Sequence, residues 1–307
     1  MKFFLIAGVL LLGIQLLSAA EEQTEEIAVL EARAAGGEPE AMVALGRALF
    51  ISANSSENIP RLVELMQKAA AAGSPEALDW LGYLALEGKG LPQDERAALE
   101  YFRKSAEAGY PKGQLHYGLL LRQGKTIELD NDESLKWIEK AAKQGLVEAN
   151  AALGRLLFSG DRLQRRDPLR SYEFLKVAAE GGDPACQNAM GVICRRGVGT
   201  PNRFRDPAQA EVWFRKAAEQ GYAKAQANLA MDLGLGPQSP RRREALMWLL
   251  AAKKQNEILA VRAYEELQHT FSPEELAQAE EDFTTRSVRQ MILEAARDGR
   301  SELKIEE

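Results

Sequence analysis

Residues 213–230 read WFRKAAEQGYAKAQANLA, and residues 137–154 read WIEKAAKQGLVEANAALG. An aromatic residue, an Ala pair, a glycine and a second Ala-rich run stand in matching places. A catalytic constellation is built once, whereas a phrase written repeatedly describes scaffolding. Working outward, the glycine after the Ala-rich run recurs as Gly37, Gly73, Gly109, Gly145, Gly182 and Gly221, at intervals of 36, 36, 36, 37 and 39 residues. Nine residues after each stands a second small residue: Gly46, Gly82, Gly118, Gly154, Gly191 and finally Ala230. Eight residues before each stands a large apolar one: Val29, Leu65, Tyr101, Trp137, Phe174 and Trp213. Three anchors kept in register mark a tandem-repeat architecture.

Each period divides into two helices. Pro39, Pro75, Pro111 and Pro184 follow the anchor glycine by one or two residues, where a missing N–H is harmless in the first turn of a helix. Ala77, Leu81 and Ala85, like Ala149, Leu153 and Leu157, then recur four apart on one face of this first helix, helix A. A loop such as EGKGLPQDE (87–95) follows, with Asp94 placed to cap the next start. Helix B, for example ALEYFRKSAEAG (98–109), closes on the anchor glycine, which takes the left-handed conformation without steric cost. The second glycine lies inside helix A, where it costs about 0.5–1 kcal/mol against alanine. A neighbouring helix crossing at that point explains the repeated cost, with the bulky residue of helix B filling the adjacent gap. Length varies only between the second glycine and the next aromatic, so insertions belong to the exposed A-to-B loop. The expected fold is all-α: a right-handed α/α superhelical solenoid of about six helix-turn-helix repeats, led by a helix near residues 25–36 and stacked because no single pair buries its own face.

The arrangement A-x-x-x-L-G, a G-x-G loop, D-x-x-x-A and W-[FI]-x-K-A-A-x-x-G resembles the Sel1-like repeat, a relative of tetratricopeptide repeats, best in DWLGYLALEGKGLPQDERAALEYFRKSAEAG (79–109). The resemblance covers about residues 28–255. It implies a superhelix that holds other proteins and offers no catalytic residues. Some secreted members staple each repeat with a disulfide. Cys186 matches one of those positions, but its counterpart is Ala178, so this chain departs from that subgroup.

The ends read differently. Lys2, an apolar run from Phe3 to Leu17 and Ser18-Ala19-Ala20 ahead of EEQTEE form a secretory signal peptide over residues 1–20, with cleavage after Ala20. Fifteen apolar residues fall short of the roughly 20 that span a bilayer. The mature chain is therefore expected to be exported, periplasmic or secreted, with no transmembrane segment. The solenoid extends over residues 21–256. Residues 257–307 form a C-terminal helical cap and polar tail, with Ser272 as N-cap of a long polar helix; docking of that helix onto the solenoid or a partner is the alternative.

Little in the chain carries chemistry. Its 307 residues have a net charge of −6, which speaks against general nucleic-acid binding. His116 and His269 are the two histidines, and His116, beside the packing face of helix A, reads as structural. No HExxH, paired Cys/His spacing or nucleophile elbow is present, so no catalytic residue, cofactor or metal ligand is nominated. GLLLRQGKT (118–126) has its first glycine misplaced for a phosphate loop and follows a helix. Cys186 and Cys194, eight residues apart on a helix, stand about 12 Å apart and cannot bridge.

Two sets of partner-binding candidates remain. The later A-to-B loops, DRLQRRDPLR (161–170), RRGVGTPNRFRD (195–206) and SPRRRE (239–244), hold eleven arginines against four acids. Arg165, Arg166, Arg203, Arg205, Arg242 and Arg243 are expected to form a ridge for an anionic ligand, or else to serve solubility and local ion pairing. The polar helix-A positions Gln114, Asn150, Gln187 and Gln226 are the concave-face candidates. The function expected is a non-catalytic exported scaffold or adaptor for a protein or peptide partner. The alternatives are a cell-envelope polyanion or acidic-partner binder using the ridge and, less favoured, a hydrolase.

Overall fold

A computed structural model of the chain describes residues 26–51, 55–123, 131–160, 166–199 and 204–297. The signal segment, Arg165 and Arg203 lie outside them. Among the described residues every regular element is helical. A leading helix α1 (26–35) is followed by six hairpins. Their A helices are α2 (Pro39–Ile51), α4 (Pro75–Glu87), α6 (Pro111–Gln123), α8 (Val147–Ser159), α10 (Pro184–Arg196) and α12 (Ala223–Leu233). The B helices are α3 (Ser55–Ala71), α5 (Glu95–Glu107), α7 (Asn131–Lys143), α9 (Pro168–Glu180), α11 (Pro207–Glu219) and α13 (Arg242–Lys254). Then come α14 (Ile258–Leu267), a single 3-10 turn (Gln268–Thr270) and α15 (Pro273–Arg297). The fold class is the one the spacing leads to, an all-α solenoid of six hairpins.

The chain forms two compact units, Met1–Ala149 and Asn150–Glu307, divided within α8. In each, helix B ends by one device. The six anchor glycines have φ between +83° and +98°, and Asn256 takes the same place after α13 with φ +57°. The next residue's amide then bonds to the carbonyl five residues back, as from Ser74 to Ala69 (2.9 Å) and from Glu257 to Ala252 (3.1 Å). That bond satisfies a carbonyl the helix end would otherwise strand. Helix starts are capped: Asp94 accepts from Arg96 and Ala97, and Ser272 exchanges bonds with Glu275 at 3.1 and 2.8 Å, a capping box.

The interior glycines mark the helix crossings. In the first unit, a methyl group on Gly82 would stand 2.6 Å from the Phe102 ring, and one on Gly118 would stand 2.7 Å from Ile138 and 2.8 Å from the Ser134 carbonyl. One on Gly46 would collide with Met66. In the second unit, Gly154 faces Leu175 and Gly191 faces Phe214, at 2.9 and 2.5 Å. This corrects the expected partner. The residue that fills each crossing stands seven, not eight, positions before the anchor glycine, and Met66, Phe102, Ile138, Leu175 and Phe214 are all fully buried. One residue is a 100° turn of the helix, which carries Val29 out to 54% exposure and leaves Leu65, Tyr101, Trp137 and Phe174 half-buried. Each inward side chain contributes about 1.5–3 kcal/mol on burial. The approach is tied by Ser134 and Ser171, whose hydroxyls donate to the carbonyls of Gly118 and Gly154 at 2.7 and 2.8 Å.

Candidate partner-binding surface

Residues seven and ten positions past an anchor glycine are three apart and share one side of helix A. In the first unit this side holds Arg47, Trp80, Tyr83, His116 and Leu119, with Phe50 one turn beyond Arg47. Three half-buried rings meet there edge-on: Phe50 to Trp80 at 5.3 Å, and Tyr83 to each of them at 6.1 Å. Lys89, between Gly88 and Gly90, both at positive φ, folds back to donate to the Tyr83 hydroxyl at 2.9 Å. Its ammonium lies 5.4 Å from the centroid of Phe50 and 5.1 Å from that of Tyr83. Polar groups flank the rings. Arg47 pairs with Glu76 at 3.4 Å, and Nδ1 of His116 meets the buried Asp79 carboxylate at 2.7 Å. Burial, followed by the Glu76 and Asp79 carboxylates, pushes the Tyr110 hydroxyl up to about 12. His116 also packs on Phe102 at 5.2 Å, so it links α4, α5 and α6 and has the structural role expected of it.

In the second unit the A helices present a polar network instead. Arg155 pairs with Asp183 at 3.5 Å, and Arg195 reaches Asp232 at 2.9 Å and Asn228 at 3.2 Å. Asn228 in turn donates to Asn188 at 2.8 Å. The side is tied to itself by amides and ion pairs, and Met231 is an exposed apolar residue on it.

The amide candidates are corrected. Gln114, Asn150, Gln187 and Gln226 are all buried. The three glutamines donate to carbonyls at the end of the preceding B helix: Ala106 (3.3 Å), Ala179 (3.0 Å) and Ala218 (3.2 Å). Each also accepts from the glutamine just before the next anchor: Gln144 (2.8 Å), Gln220 (2.7 Å) and Gln255 (3.0 Å). These side chains join hairpins and offer nothing to a partner, because helix rotation turns the fifth position past the anchor inward and the seventh outward.

Of the arginines expected to form a ridge, Arg242 and Arg243 are corrected. Arg242 is 8% exposed and bonds to the Leu235 carbonyl (2.5 Å), the Thr270 carbonyl (2.6 Å) and Glu275 (3.0 Å), with its guanidinium over Phe271. Arg243 forks onto Asp282 of α15 at 2.6 and 2.7 Å. Both are used to seat α15 on α13. Arg241 is held by Glu211 and Glu244. The Arg241 guanidinium above all, with Arg215 beside it, draws the Glu211 carboxyl down to about 2. Arg166 donates to the Ser159 carbonyl, and Arg205 is exposed.

Sequence reasoning missed Phe50, Trp80, Tyr83 and Lys89 as a group. A signal was present: against a frame whose fourth and ninth positions past the anchor stay small, the seventh and tenth positions change type from repeat to repeat, as an outward side does. Both cysteines are free and buried; burial first, with Asp183 second, pushes the Cys186 thiol up to about 12. Among the described residues no group of His, Cys, Asp or Glu is placed to hold a metal ion, and no helix is long and apolar enough to cross a membrane.

A family model described as the Sel1 repeat matches residues 39–74, 75–110, 111–146, 147–183, 184–222 and 223–257. Among solved structures, the chain is similar to a protective antigen present in uropathogenic Escherichia coli strains and displaying an SLR fold. The identity is 27% over 86% of this chain and 56% of that one, with a TM-score of 0.69. The chain thus spans little more than half of that relative's length. It is also similar to a Sel1 repeat protein from Oxalobacter formigenes, 25% identical over 74% of this chain and 87% of that one, with a TM-score of 0.63. No curated protein matches.

Proposed function

The chain belongs to the Sel1 repeat family, and from that premise we propose that it is an exported, non-catalytic scaffold that holds a protein or peptide partner on the A-helix side of its first unit. Sel1 repeats generally serve protein–protein contact, and the family is generally non-catalytic. One observation supports this placement: Phe50, Trp80 and Tyr83 keep part of their rings at the surface, with Arg47 and His116 close by. Tryptophan, tyrosine and arginine are the residue types that dominate the energetics of protein interfaces. The rings are already braced against one another, so little side-chain freedom is lost on binding. The polar network of the second unit offers no comparable apolar anchor. Export follows from the reading of residues 1–20 as a signal peptide.

The test is site-specific photocrosslinking in intact cells. A photoreactive phenylalanine at Trp80 or Tyr83 is expected to trap one discrete protein species, and the same probe at Lys136, on helix B, is expected to trap none. Phe50→Ala should weaken capture by a probe at Tyr83 at least tenfold while leaving helicity intact. Equal trapping at Lys136, or none at Trp80 and Tyr83, overturns the assignment.

A further inference from the structure

The loop joining α10 to α11 is built like the one joining α4 to α5, up to a point. In both, a left-handed glycine closes helix A: Gly88 (φ +67°) bonds to Leu84, and Gly197 (φ +70°) bonds to Ile193. Two residues on, Gly90 lies against Ile59 of α3, and Gly199 lies against Pro168 at the start of α9. Each loop returns by an amide bond of 2.9 Å, from Asp94 to Ala85 and from Asp206 to Cys194. Eight residues separate the two bonded ends in the first case and eleven in the second. The shorter loop completes the join with its apolar residue Leu91 packed on the core and Lys89 bonded to Tyr83. Among the described residues of the longer loop, Phe204 is 77% exposed and Val198 55%. Leu169, next to the Pro168 that Gly199 touches, is 51% exposed. Arg196 and Arg205 are exposed beside them and form no ion pair with any described residue. By contrast, Arg195, Arg241, Arg242 and Arg243 are all paired.

We propose that this edge of the second unit docks on an anionic lipid surface, with Phe204 entering the headgroup layer and Arg196 and Arg205 pairing with lipid phosphates. An aromatic side chain standing out from a loop needs surroundings that close around it, as a fluid interface does; a bound peptide would need a recess. Guanidinium groups suit phosphate oxygens. The chain as a whole is acidic, at −6, so an anionic surface repels it generally and admits it where arginines such as Arg196 and Arg205 stand unpaired with any described residue. The inference is independent of the protein-binding reading, whose residues all lie in the first unit.

Sedimentation with vesicles tests it. The protein is expected to bind vesicles of phosphatidylglycerol in phosphatidylcholine, to ignore phosphatidylcholine alone, and to be released by high salt. Phe204→Ser should weaken binding roughly tenfold, from the apolar area lost. Arg196→Gln and Arg205→Gln should weaken it about fivefold each. Ile258→Ser, at a residue 65% exposed elsewhere in the same unit, should change nothing. Phe204→Trp should add to the emission of the four native tryptophans a component that shifts to the blue on anionic vesicles and is missing from the parent protein. The proposal falls if anionic vesicles do not bind, if Ile258→Ser weakens binding as much as Phe204→Ser, or if that added component stays unmoved. Binding of an acidic peptide that depends on Phe204, in a protein that ignores vesicles, assigns the edge to a protein partner and also overturns it.

Discussion

Gln144 donates to Gln114 at 2.8 Å across the join between two hairpins, and Gln255 repeats the bond with Gln226 at 3.0 Å. Where the fifth position past the anchor is the apolar Met42 or Leu78, the matching later position is Ala72 or Ala108. At those two joins neither member carries an amide, as expected when a lone buried amide is costlier than no amide at all.

That asymmetry sets the first expectation. Gln144→Ala should lower stability by about 1–2 kcal/mol, because Gln114 loses a donor in a buried place. Adding Gln114→Leu, the arrangement of Leu78 with Ala108, should recover most of it. Denaturant unfolding of the four proteins in the cycle gives the coupling. Additive losses would show that the pair does not act as a unit.

The glycine crossings make a second, graded case. At Gly154 an added methyl meets the Leu175 backbone nitrogen at 2.9 Å, and at Gly118 it meets the Ser134 carbonyl at 2.8 Å. Backbone yields less than a side chain, so Gly154→Ala and Gly118→Ala should cost about 1–3 kcal/mol despite the better helix propensity of alanine. At Gly82 the obstacle is the Phe102 ring, so Phe102→Leu should partly rescue Gly82→Ala. Thermal melts of the single and paired variants check the order.

Arg242 is the pin of the C-terminal corner. Its replacement by alanine strands the Leu235 and Thr270 carbonyls and releases Glu275, with an expected cost of about 2–3 kcal/mol. Hydrogen exchange should rise first in α15. Arg243→Gln, which breaks a more exposed pair, should cost under about 1 kcal/mol.

Acid should act through Glu211. Its carboxyl, held down to about 2 by Arg241 and then Arg215, binds a proton less readily folded than unfolded, where the ordinary value is 4.5. Its contribution is therefore complete at pH 7 and is lost as pH falls from about 4.5 toward 2. Glu211→Gln should lower the melting temperature at pH 7 and be indistinguishable from the parent near pH 2. A gap that widens in acid would rule the pairing out as its cause.

The period made the architecture legible, because a helix closure or a crossing reads as a glycine wherever it recurs. Side-chain direction was harder. Spacing alone placed Trp137 and Phe174 at the crossings, while the structure uses Ile138 and Leu175, since one residue turns a helix through 100°. Gln114 and Gln187 looked like surface because they are polar, and only the carbonyls of Ala106 and Ala179, eight residues back across the closing turn, explain why they are inside. Arg242 and Arg243 looked like part of a cationic edge because Glu275 and Asp282, more than thirty residues on, are invisible to local charge counting.

The closure at Asn256 copies the six glycine closures before it, so every helix that precedes an A helix, and α13 before α14, ends on the same local turn. Such a chain can be lengthened in whole modules. A second copy of residues 75–110 inserted after Tyr110 would meet the same junction at both of its ends, and growth by duplication would leave the older modules undisturbed.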